Sequence, residues 1–169
     1  TDGRSAILFI GNSGSGKSTL CSLLVAHGYH LLADDISPLL KADGHLYYNP
    51  SAISIKEKAF NILEPLIPGL TSLPEVNFNP TKGVLKYIPC PPPLQRHYPC
   101  KTMVVVNYTP DSETVLESIT VKDALETFIP DSWLHPGKNH AQSFLDWLGE
   151  IKFYKLTYSN TEEMTTTVS

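Results

Sequence analysis

Apolar and polar positions follow two rhythms along this chain, and the change from one to the other predicts its elements. Residues 5–10 form a compact apolar run with the look of a buried strand. From 18 to 27 the apolar positions (Leu20, Leu23, Leu24) fall at helical spacing, and Gly28 supplies a C-cap. Residues 30–33 read as a second short strand that ends at Asp34-Asp35. Asp43-Gly44 marks a turn into 46–48 with hairpin character. Residues 53–55 are extended, and 56–63 read as a short helix. From 64 to 101 prolines recur every few residues, which excludes long helices and predicts ordered loops or an extended arm with one embedded strand, 84–88. Residues 102–106 (Thr-Met-Val-Val-Val) are the strongest central-strand run. A strand over 113–120 and a helix over 121–128 follow. A second helix over 139–149 places Phe144, Leu145, Trp147 and Leu148 on one broad core face. A strand over 153–158 and a last short helix capped by Asn160 or Thr161 complete the reading.

The sum is an α/β fold with a mixed β-sheet and flanking helices, at 169 residues the length of one domain. Thr1-Asp-Gly-Arg4 reads as a turn leading straight into the first strand, so a preceding partner strand is expected and the chain is read as the C-terminal part of a longer protein.

Composition narrows the class. Apolar content of 41% and charged content of 18% are ordinary for a globular protein. A net charge of −4 with scattered Lys and Arg argues against a nucleic-acid surface. No apolar run approaches the roughly 20 residues of a membrane span. Cys21, Cys90 and Cys100 form no C-x-x-C pair and read as free thiols, which points to a reducing, cytoplasmic setting.

Chemistry enters at Gly11-Asn12-Ser13-Gly14-Ser15-Gly16-Lys17-Ser18, which fits G-x-x-x-x-G-K-[ST] at every fixed position. Glycines let the backbone bend closely around phosphates, and successive N–H groups line a concavity at a helix N-terminus. Lys17 is placed to bridge the β- and γ-phosphates of ATP, the Ser18 hydroxyl to ligate Mg²⁺, and Thr19 completes the segment. Asp34 and Asp35 follow at the exit of the next predicted strand. A carboxylate there can hold the metal or its water shell, and a second can take a proton from an attacking hydroxyl. Side chains adjacent on a strand point to opposite faces, so the two acids have different jobs.

The loop Gly-Asn-Ser-Gly-Ser-Gly-Lys-Ser-Thr, with His27-Gly28-Tyr29-His30-Leu31-Leu32-Ala33-Asp34-Asp35 behind it, resembles the HPr kinase/phosphorylase family, whose P-loop and helix lead to a segment like R-G-H-x-L-V-A-D-D. Pro50 to Lys56 and Thr81-Lys82-Gly83 are similar to segments of the shorter HPr-kinase-related proteins, which include lasso-peptide precursor kinases. The resemblance implies the P-loop kinase core of the HPr kinase C-terminal domain and ATP- and Mg²⁺-dependent transfer to a serine of a peptide or protein. It also implies Lys17 on phosphate, Ser18 and Asp34 at the metal, and Asp35 as proton acceptor. The family's hexamers make a homo-oligomer an expectation too. The Glu- and Arg-containing signature that follows the aspartate pair in full HPr kinases has no counterpart here, Glu57 being the nearest acid. The family's histidine upstream of the P-loop strand has no match either, so a related kinase with another acceptor is expected.

Weaker candidates for phosphate or transition-state charge are Lys56, Lys82 and Arg96, with Lys101 similar to the last. The six histidines show no metal-ligand spacing; His135 and His140 lack a third partner, so zinc is not expected. Two alternatives stay open: a small-molecule kinase using the same cradle, and a nucleotide-responsive binding module that transfers nothing.

Overall fold

A computed structural model describes residues 1–40, 43–79 and 83–168. Its main sheet is built on β6 (His97–Tyr108), the long strand that contains the Thr-Met-Val-Val-Val run. β1 (Ala6–Ile10) and β8 (Lys152–Tyr158) flank it in parallel, and β7 (Val115–Ser118) adds antiparallel to β8. β2 (His45–Tyr47) pairs antiparallel with the first residues of β6. A second, antiparallel sheet has the order β3 (Ile53–Lys56), β5 (Gly83–Ile88), β4 (Val76–Asn79). The molecule is therefore mixed α/β, with a mixed parallel and antiparallel sheet and flanking helices.

Both faces of the main sheet are covered, as parallel strands require. On one face Val104, Val106, Leu156 and Tyr158 pack against Leu20, Leu23 and Leu24 of α1 (Lys17–Ala26), Met164 of α5 (Thr161–Val168) and Ile53 and Ile55 of β3. On the other, Met103 and Phe153 pack with Ala124 of α3 (Val121–Phe128) and with Trp147 and Leu148 of α4 (Lys138–Leu148). The alternation Met103 down, Val104 up is the period-2 rule of a strand. Of the expected α4 stripe, Leu145 departs: it is 56% exposed, because it lies off the arc that meets the sheet. Asn160 caps α5, its Oδ1 accepting from the N–H groups of Glu162 and Glu163.

Three expectations need correction. Residues 30–33 form no strand. His30 exchanges backbone bonds with Thr1, and Leu32 accepts from Asn49 N–H, while Leu31 and Leu32 enter opposite cores. The apolar run is a joint between two cores, which periodicity alone reads as a strand. Residues 56–63 are divided: Lys56 ends β3, a 3₁₀ turn covers Glu57–Ala59, and only Phe60–Leu63 is α-helical (α2). The proline-rich stretch holds β4, β5 and the start of β6 rather than one strand. Buried Lys86 of β5 orders it, donating to the carbonyls of Leu70 and Thr71 at 3.2 and 3.3 Å. Pro99 is tolerated within β6 opposite His45, where short β2 begins. Cys21, Cys90 and Cys100 are free, and among the described residues no helix is long and apolar enough to cross a membrane.

Candidate active site

The glycine loop leaves the C-terminal end of β1, beside the parallel strands β6 and β8, and runs into the N-terminus of α1. Ligands of α/β sheets bind at such strand ends, where the first amides of the helix have no intrahelical acceptor. Tertiary contacts fix the loop. Tyr108 N–H donates to the Ser15 carbonyl at 3.0 Å, and the Tyr158 hydroxyl donates to the Gly16 carbonyl at 3.2 Å. Burial pushes the Tyr158 phenol up to about 12, so it stays a donor.

Two glycines are demanded by the shape. A Cβ at Gly11 would lie 2.7 Å from the Val106 carbonyl oxygen. At Gly16, with φ +94°, a Cβ would run onto the Tyr158 hydroxyl. Glycine is thus required where the loop is seated against β6 and β8, and the loop's residue types fit a triphosphate.

The Lys17 ammonium donates to the carbonyls of Gly11 and Asn12 at 2.6 and 3.0 Å. Desolvation lowers its pKa; of the surrounding groups Asp35 opposes this most, followed by Cys21, Asp131 and Asp34. Both aspartates thus favour the charged form of the lysine, Asp35 the more. Cys21, one turn along α1, is pushed up to about 12 by burial and is an inert thiol.

The two aspartates do differ in surroundings. Asp35 is exposed. Asp34 is partly buried, its Oδ2 accepting from Ser54 N–H and Oγ–H at 3.2 Å each, and its own N–H donating to Ser51 Oγ at 3.1 Å. Burial raises the Asp34 carboxyl above its ordinary 3.8, the Ser54 amide opposing and Asp35 adding to the rise. The folded state therefore holds this proton more tightly than the unfolded chain. That contribution to stability is complete below about 3.8 and is lost as pH rises through the raised value. Asp34→Asn keeps an acceptor for Ser54 and removes the buried charge. Its melting temperature at neutral pH is expected to exceed the parent's, and the loss of stability that Asp34 brings to the parent as pH rises through this window is expected to be absent. Melting scans of both proteins between roughly pH 3.5 and 7 check this.

Beside the pair opens a cleft of about 360 Å³, walled by Asp34, Asp35, Ile36, Asn49, Phe78 and Tyr87. It lies between the segment after the aspartates and the second sheet.

Of the weaker candidates, Lys56 joins the loop, its Nζ lying 3.4 Å from Ser13 Oγ. Arg96 does not: it precedes β6 at the end opposite to Tyr108, and its carbonyl is taken by Tyr48 N–H at 2.7 Å. Lys101 is exposed on β6, three residues past Tyr98. Lys82 lies outside the described residues. Sequence reasoning missed Tyr158 and Ser54. Both support the site through hydrogen bonds to residues distant in sequence, one from Tyr158 and two from Ser54, for which no local pattern exists.

No family model, curated protein or solved structure matches this chain.

Proposed function

We propose that the chain is an ATP- and Mg²⁺-dependent phosphotransferase of the HPr-kinase-like type, acting on a serine hydroxyl of a peptide or protein. The observation that carries the reading is the glycine loop at the parallel strand ends, held in shape by Lys17 and Tyr158, with Asp34 and Asp35 on the wall of an open cleft and both favouring the charged form of Lys17. Loop amides and Lys17 hold the triphosphate, and Ser18 and Asp34 are the residues that would hold the metal. When bound, Mg²⁺ neutralises charge on the phosphates. Exposed Asp35 takes the proton as the serine oxygen bonds to the γ-phosphorus and the bond from that phosphorus to the β-bridging oxygen breaks, leaving ADP. Lys56, beside Ser13, adds positive charge at the mouth of the loop.

The test is incubation of the chain with γ-labelled ATP, Mg²⁺ and an acceptor panel: an HPr-like protein, serine-containing precursor peptides and hydroxyl metabolites. Label on a peptide serine, identified by mass spectrometry, is the expected result. No transfer to any acceptor by a chain that binds ATP would overturn the reading. The cleft volume favours one second reading, a small-molecule acceptor, since about 360 Å³ falls within the span of small-ligand pockets. Saturable labelling of a metabolite, with none of the peptides labelled, decides for it.

A further inference from the structure

At the end of β6 opposite to the tyrosine that meets the cradle, three side chains converge that no phosphotransferase role uses. His45 and His97 present their Nδ1 atoms to one another at 2.8 Å. The Asp43 Oδ2 atom lies 3.9 Å from His45 Nδ1. One ligand atom from each of the three residues lies within 4.8 Å of the other two. We propose that Asp43, His45 and His97 bind one zinc-class divalent cation, which fastens β2 to β6.

The strand register creates the site. Tyr47 pairs with His97 and Leu46 with Tyr98, so His45 and His97 are diagonal neighbours on one face of the ladder. Asp43, two residues before His45, is brought back by the turn, with His45 N–H donating to its Oδ1 at 2.9 Å. The Tyr47 hydroxyl donates to Asp43 Oδ2 at 2.8 Å, and its ring stacks on His97 with centroids 4.7 Å apart. Metal-ligand residues are oriented by outer partners of this kind.

The donor set decides the class of ion. Two imidazoles and one carboxylate suit zinc and its neighbours rather than Mg²⁺ or Ca²⁺, which prefer all-oxygen ligands. With bonds of about 2.0–2.1 Å, a tetrahedral ion holds two nitrogens about 3.3 Å apart, so the rings need open by only about half an ångström. Asp43 is exposed, which leaves a fourth position to water. The placement argues for a structural clip: the chain runs from Tyr47 to Asn49, which donates to the Ile36 carbonyl at 3.1 Å and forms part of the cleft wall. The spacing gives no warning, because the histidines are 52 residues apart in sequence.

The proposal is independent of phosphoryl transfer. The test is titration of the chelator-treated full chain with Co²⁺ under excess Mg²⁺, followed by competition with Zn²⁺. One equivalent with an intense tetrahedral visible spectrum, displaced by Zn²⁺, is expected, as is a higher melting temperature with Zn²⁺. His97→Ala and His45→Ala should each weaken binding at least about 100-fold and Asp43→Asn about 10-fold, with His135→Ala unchanged. Having both histidine variants keeps the test decisive if one fails to fold. A weak octahedral spectrum, or affinity retained within about threefold in the histidine variants that fold, overturns the proposal.

Discussion

Asp35→Asn is expected to lower phosphoryl transfer by roughly 10²–10⁴-fold while ATP affinity stays within about threefold of the parent's. The argument rests on the division of labour between the two carboxylates. Asp34 is committed to Ser54, through two hydrogen bonds to its Oδ2, and sits partly buried. Asp35 is exposed on the cleft that an acceptor would enter. Asparagine keeps the shape and loses the proton acceptor, so the deficit belongs in the chemical step. Single-turnover transfer measured at saturating ATP, beside equilibrium nucleotide binding, separates the two. Full transfer by the variant would remove Asp35 from the role of base. Binding by both proteins with transfer by neither would favour the nucleotide-responsive module over the kinase.

The cradle was legible in the sequence because its physics is local. Eight residues, a strand before and a helix after suffice to specify it, although the contacts that hold Gly11 and Gly16 to glycine come from Val106 and Tyr158, far along the chain. Val104 and Leu23 were legible for the same reason, since period 2 and period 3.6 are properties of adjacent residues. Residues 30–33 misled because Leu31 and Leu32 are buried on opposite sides without a ladder, and burial on two sides is also what a central strand looks like. β4 was hidden by the prolines around it, whose local veto on regular structure was overridden by pairing with β5. The support of the site was illegible altogether. Tyr158 reaches Gly16 across 142 residues and Ser54 reaches Asp34 across 20, so both depend on the finished topology.

Lys17→Ala tests the cradle itself, and its effect is expected in binding as well as in transfer. In the free chain the ammonium braces the loop through the Gly11 and Asn12 carbonyls, so it already sits among the atoms that would surround a bound phosphate. Burial works against its charge, and Asp35 is the foremost group that sustains it. A phosphate supplies the compensation that the loop carbonyls give only in part, which makes the lysine's charge worth more with nucleotide bound than without. Hydrogen bonds to charged groups contribute about 1.5–3 kcal/mol, so loss of the side chain should weaken ATP about 10- to 150-fold. The loss should be smaller for ADP, which lacks the γ-phosphate that Lys17 would share with the β-phosphate. Transfer should fall further than binding, because charge develops on those oxygens as the reaction proceeds. Calorimetric titration with both nucleotides, beside single-turnover transfer, checks all three. Equal losses for ATP and ADP would place Lys17 on the β-phosphate alone, and unchanged affinity for both would leave it a brace for the loop rather than a phosphate ligand.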